Sequence, residues 1–106
     1  MNIAKMMQQA KEMQSKMQEM QEELGQIEVN GEAGGGLVKV TMTCKGELRA
    51  LDIDPSILVA SEKEIVEDLI KAAINDGKAK GDATMAEKTQ SMMEDMGLPA
   101  GAQLPF

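Results

Sequence analysis

Residues 27–47 read IEVNGEAGGGLVKVTMTCKGE, and the period of their apolar positions decides the fold. Ile27, Val29 and Ala33 alternate with Glu28, Asn30 and Glu32; beyond the glycines, Val38, Val40, Met42 and Cys44 alternate with Lys39, Thr41 and Thr43. A two-residue period puts one set of side chains on each face of a strand, so both runs predict half-buried strands. Gly31 to Gly36, GEAGGG, predicts a flexible connection, because glycine accepts backbone conformations that other residues avoid. Lys45-Gly46 makes a short turn, and Glu47 to Ile53 a third strand with Leu51 and Ile53 as its inward pair. Connections this short join neighbours antiparallel, so residues 26–53 read as a three-stranded meander.

Upstream stands MMQQAKEMQSKMQEMQEEL, residues 6–24, in a different period. Ile3, Met6, Ala10, Met13, Met17, Met20 and Leu24 lie at intervals of 3, 4, 3, 4, 3 and 4, a heptad a/d pattern on one stripe of a helix over 1–24. Gly25 ends it. A helix of roughly 22 residues is about 33 Å long, more than a domain of this size covers, so part of the stripe should face another copy or a partner. Met6, Met13, Met17, Met20 and Leu24 are the candidate dimer or helix-packing seam, and methionine's flexible thioether suits an adaptable contact.

Downstream, residues 55–96 read as helical. Asp54 caps a short turn through Leu58 with Pro55 at its first position, and Ser61-Glu62-Lys63-Glu64 reads as a capping box for a second long helix. Ile65, Val66, Leu69, Ile70, Ala73 and Ile74 give that helix a broad core-facing side. Past Gly77 the apolar side narrows to Met85, Met92 and Met96, and the helix should run beyond the core. Residues 97–106 carry two prolines and two glycines, and read as an irregular tail.

The whole chain of 106 residues fits one domain. It contains no Trp, Tyr or His and one Phe, so the core must be aliphatic and methionine-rich. Without histidine there is no Ser-His or Cys-His nucleophile and no ordinary zinc site, which argues against an enzyme. The one cysteine, Cys44, has no partner for an internal disulfide and reads as a small hydrophobe at a strand end, fitting a reducing cytoplasm. No apolar leader follows the N-terminus and no stretch nears the ~20 apolar residues of a membrane span. A soluble cytosolic protein is expected. GEAGGG lacks the Lys-Ser/Thr pair of a phosphate loop and runs into a strand, not a helix. Asp52 and Asp54 have no third ligand in view, so neither a metal nor a cofactor is expected.

The formal charge of −7 is unevenly spread. Lys5, Lys11 and Lys16 outweigh Glu12 at the start, Glu47 to Asp68 is strongly acidic, and Lys71, Lys78, Lys80 and Lys88 return later among Asp76, Asp82 and Glu87. Read from charge alone, the lysines are a solvated face, with Glu12 four residues before Lys16 in the stabilising order for an exposed helix.

Five segments in order, MQQAKEMQSKMQEMQEEL (7–24), IEVNGEAGGGLVKVTMTCKGE (27–47), LDIDPSIL (51–58), IVEDLIKAAINDGKAK (65–80) and LPAGAQLPF (98–106), span essentially the whole chain. Together they resemble the YbaB/EbfC family of bacterial nucleoid-associated proteins. The resemblance implies an α+β fold: a long N-terminal helix, a three-stranded antiparallel sheet and a C-terminal helical arm, paired in a tweezer-like homodimer. It implies binding of double-stranded DNA with little or modest sequence preference, a nucleoid location, and an influence on nucleoid organisation and gene expression. By region and residue type it assigns DNA contact to Lys5, Lys11, Lys16, Lys71, Lys78, Lys80 and Lys88. These helices depart from an ideal phosphate binder in holding lysine instead of arginine, so contacts are point charges without bidentate geometry and binding should be weak and salt-sensitive. A different class stays open: a chaperone-like, prefoldin-resembling dimer that binds proteins through its methionine surface and does not touch DNA.

Overall fold

The computed structural model describes residues 2–97. In chain order it contains α1 (Ile3–Leu24), β1 (Glu28–Ala33), β2 (Val38–Thr43), β3 (Leu48–Ile53) and α2 (Lys63–Asp95), with 3-10 turns at Pro55–Ile57 and Ala60–Glu62. The expected tail, apart from Gly97, lies outside the described residues. Helix, antiparallel meander and helix match the reading from periodicity. The sheet order is β1-β2-β3, both pairs antiparallel.

Register explains what is buried. Gly31 pairs with Val40 and Ala33 with Val38 on one side, while Leu51 pairs with Val40 and Ile53 with Val38 on the other. Paired residues share a face, so these side chains point to the side on which α2 lies. Val38, Val40 and Met42 are buried there with Ala73, flanked by Val29, Ala33, Ile53, Leu69, Ile70 and Ile74. Because α2 packs on β1 and β2, it leaves β3 open. Ile53 is half-buried, but Leu51 keeps 46% of its surface exposed, contrary to its expected inward role.

Three further expectations are corrected. GEAGGG is not all connection: Gly31 to Ala33 finish β1, and the turn is confined to Gly34–Leu37, where the three glycines take φ of 65°, 67° and 97°. Ser61 does not cap α2. A 3-10 turn occupies Ala60–Glu62, and the helix starts at Lys63 with no side-chain cap. Asp54 does cap its turn, accepting from Ser56 N–H at 2.8 Å.

The third correction concerns the far half of α2, which does not run beyond the core. Ala73, Gly77 and Gly81, four residues apart, are buried. A side chain at Gly31 would overlap the Ala73 carbonyl oxygen and stand 2.5 Å from Gly77 N. Likewise a Cβ at Gly77 would meet the Met42 sulfur at 2.7 Å, and one at Gly81 would sit 3.3 Å from Cys44 Cα. The two helical glycines each cost about 1 kcal/mol of helix propensity, and in return the helix backbone comes down onto the sheet.

Further along, α2 meets the end of α1. Met20, Leu24, Cys44 and Met92 form a second buried cluster, with Met17, Ile27, Val29, Met85 and Met96 around it. Thr89 donates its hydroxyl to the Met85 carbonyl at 2.9 Å, with the Met20 sulfur 3.7 Å away. Since Met20 lies by Thr89 and Glu23 by Lys88, the two helices run antiparallel, and α1 continues past the end of α2. The described chain is therefore long, 70 × 21 × 16 Å with a radius of gyration of 19.3 Å, against about 13 Å for a compact domain of this length.

At its other end α1 closes on the sheet. Arg49 of β3 donates to the Gly25 carbonyl at 3.1 Å and lies 3.5 Å from Glu28. The last turn of α1 carries no basic residue of its own, so a strand supplies the cation that helix ends favour.

Candidate nucleic-acid interface

Asn2 starts the arm, its side-chain oxygen accepting from Ala4 N–H at 3.1 Å and Lys5 N–H at 3.4 Å. From there the heptad stripe divides. Met20 and Leu24 are buried and Met13 and Met17 half-buried, whereas Met6 is 53% and Ile3 71% exposed. Met6 is thus not part of the seam within the chain. The seam ends where α2 ends, because among the described residues only that far does α1 have a neighbour.

Lys5, Lys11 and Lys16 are all exposed on α1, and among the described residues no carboxylate comes within ion-pair distance of any of them, Glu12 included. Lys5 and Lys16, eleven residues apart, share a helix face on the flank of the methionine stripe, and Lys16 lines a groove between the helices with Met20 and Met92. The lysines of α2 divide differently. Lys71 lies 3.6 Å from Asp68, Lys80 3.1 Å from Asp76 and Lys88 3.2 Å from Glu23. Among the described residues Lys78 has no carboxylate within ion-pair distance. Of the seven sequence-assigned lysines, the structure leaves four with their charge uncommitted.

Lys78 also has a neighbour that the sequence did not single out. Lys45, in the β2–β3 turn, lines the same open groove of about 330 Å³, together with Gly46, Ile74, Asp82 and Met85. Nothing in residue spacing joins Lys45 to Lys78, since the groove exists only once α2 lies across β2. A turn lysine in an otherwise acidic middle region was the one available signal.

Asp76 holds the edge of the sheet as well as Lys80. Its Oδ2 accepts from Glu32 N–H at 3.0 Å, the outermost strand's free donor. That backbone hydrogen bond, with Lys80 second, holds the Asp76 carboxyl below its ordinary value, as the Ser56 N–H does for Asp54. A carboxylate with a depressed folded-state pKa stabilises the fold at pH above its unfolded value of 3.8, and the contribution is lost as pH falls through the lower folded value. Asp76→Asn is therefore expected to lower the urea midpoint at pH 7, and the loss should shrink as the pH is taken progressively below 3.8, read by circular dichroism across a pH series.

No group of three or more acidic or cysteine ligands positioned for a metal occurs among the described residues. The arrangement offers positive point charges on a projecting helix, backed by a rigid helix-on-sheet body. Such charges suit a polyanion backbone.

The model of the YbaB/EbfC DNA-binding family matches residues 1–96. The chain belongs to that family. A nucleoid-associated protein of Brucella melitensis biotype 2 is 56% identical over 101 residues, 95% of this chain and 94% of that protein. One from Brucella ovis is 55% identical over 101 residues, with the same coverage. The fold is shared with an uncharacterized protein of Helicobacter pylori, whose crystal structure superposes with a TM-score of 0.76 at 25% identity, covering 88% of this chain and 98% of that one. This YbaB/EbfC member thus belongs to a DNA-binding family, and both Brucella relatives are named nucleoid-associated proteins. No helix among its described residues is long and apolar enough to cross a membrane.

Proposed function

We propose that this YbaB/EbfC member binds duplex DNA through its sugar-phosphate backbone, as a homodimer, with little sequence preference, and that it acts in the nucleoid on DNA organisation and gene expression. The observation that carries the reading is the set of exposed lysines without carboxylate partners, Lys5, Lys11 and Lys16 along α1 and Lys78 on α2. A single copy presents few such charges against a net −7, and pairing doubles them on one molecule. Leu48 and Leu51, left exposed along the open β3 side, give a second copy an apolar surface to cover. The acidic stretch from Glu47 to Asp68 then faces away from DNA. Stacking on bases has no support, because the one aromatic residue is Phe106.

A labelled duplex titrated with the protein at roughly 50 and roughly 200 mM salt tests this, the interval over which phosphate-driven binding weakens sharply. Saturable anisotropy at the lower salt that collapses at the higher is the expected result. Absence of binding at the lower salt by folded protein would defeat the proposal. The exposed Met6 and Met7 would then support a protein-binding arm, with capture of an unfolded client lost on Met6→Ser and Met7→Ser as its mark.

A further inference from the structure

Where α1 meets the body, the turn between β2 and β3 holds Lys45 in a fixed place. Thr43, almost wholly buried, accepts at its hydroxyl oxygen from Lys45 N–H at 3.3 Å and from Glu47 N–H at 3.2 Å, and Gly46 closes the turn with φ of 93°. The stem of Lys45 lies against the end of α1, its Cδ 3.4 Å from where a Cβ on Gly25 would stand. Its head shares the open groove with Lys78, between apolar walls that include Met42, Ile74 and Met85. Asp82 lines the groove too, so two ammoniums face one carboxylate. Among the described residues, no carboxylate reaches ion-pair distance of either lysine. Two like charges beside apolar walls repel each other more than they would in open water, and an anion between them removes that cost.

We infer that this groove takes a backbone phosphate of duplex DNA, held by Lys45 and Lys78, and that it carries the DNA contact from the arm onto the helix-on-sheet body. The site rests on the duplex binding proposed above and adds Lys45 to it. Its link to the arm comes from the faces of α1. Met7, Gln14 and Gln18 precede Gly25 by 18, 11 and 7 residues, which are nearly whole turns, so they share its side. Lys11 stands about 40° round from them. The acids of α1 gather elsewhere: Glu19, Glu22 and Glu23 line a groove with Lys88, and Glu12 shares the flank of Lys16. A polyanion along the arm therefore meets least repulsion on the side leading from Lys11 past the glutamines to Lys45. Glutamine amides add neutral donors for phosphate oxygens there.

Salt-dependent anisotropy of a labelled duplex tests the site, with far-UV circular dichroism confirming the helix content of each variant. Lys45→Ala with Lys78→Ala should flatten the slope of log affinity against log salt by about two per copy, at about 0.9 for each contact. Lys71→Ala with Lys80→Ala takes the same charge from lysines that are already paired, and should flatten it by less than half as much. Lys45→Arg with Lys78→Arg keeps the charge and should keep the wild-type slope, which separates phosphate binding from the packing of the Lys45 stem on Gly25. On the arm, where both positions are exposed, Gln14→Glu with Gln18→Glu should weaken binding at about 0.1 M salt by about tenfold or more. If the wild type binds and the alanine pair at Lys45 and Lys78 leaves its slope unchanged, if the arginine pair loses as much as the alanine pair, or if the glutamate pair binds like the wild type, the site is overturned and the proposed function stands. Absence of binding by the wild type itself would defeat both.

Discussion

Gly31→Ala is expected to destabilise the protein by about 3 kcal/mol, the upper part of the range for overpacking a close-packed site, and chemical denaturation at neutral pH measures it. The reason is what the new methyl group would meet. Its neighbours are backbone atoms of α2, the Ala73 carbonyl oxygen and the nitrogen and Cα of Gly77, the last at 2.8 Å. Backbone cannot rotate aside as a side chain does, so α2 must lift from β1 along its contact. Lifting it would also stretch the Asp76 contact to Glu32 N–H, now 3.0 Å. Gly77→Ala is the informative comparison. Its methyl would meet the thioether of Met42 at 2.7 Å, which can repack, and alanine regains about 1 kcal/mol of helix propensity. A small net loss, near 1 kcal/mol, is expected there. Equal losses at the two positions would show that the close approach at Gly31 is not what fixes α2.

Removing the uncommitted lysines should change DNA binding far more than removing the paired ones. Lys5, Lys11 and Lys16 changed together to alanine take three positive charges from each copy, six from the proposed dimer. At about 0.9 per phosphate contact, the slope of log affinity against log salt should flatten by up to about five. Lys71, Lys80 and Lys88 each stand within 4 Å of a carboxylate, so much of their charge is already answered inside the protein. Their triple alanine variant is expected to flatten the slope by less than half as much. Anisotropy titrations of both variants across a series of salt concentrations decide the matter. A larger effect from the paired set would move the interface from the face of α1 to α2.

The element order was legible because each segment declares its own period. Alternation in residues 27–33 and 38–44, and the 3-4 spacing from Ile3 to Leu24, are local properties that the backbone geometry of strand and helix reads directly. What failed were inferences about glycine. Gly31, Gly77 and Gly81 looked like connection or weak helix when taken one at a time, although in the fold they are where a helix and a sheet touch backbone to backbone. Leu51 has the right parity for the core and is still exposed, because parity selects a face and another element must cover it. Ser61 has the capping pattern and does not cap, since the 3-10 turn at Ala60–Glu62 moves the helix start to Lys63.

The candidate site divides along the same line. Residue type and region sufficed to name seven lysines, and Asp76 four residues before Lys80 was a local sign of their ion pair. Packing adds the rest: Asp76 is anchored to the edge of β1, and the sheet brings Lys45 to the groove beside Lys78. By itself the sequence determined the helix, the meander, the second helix and the uneven charge, because periodicity and charge are counted along the chain. The tertiary structure alone decided which half of the methionine stripe is covered and that Lys88 is paired, because Met20 meets Thr89 and Glu23 meets Lys88 across 69 and 65 residues of chain, brought close only by folding.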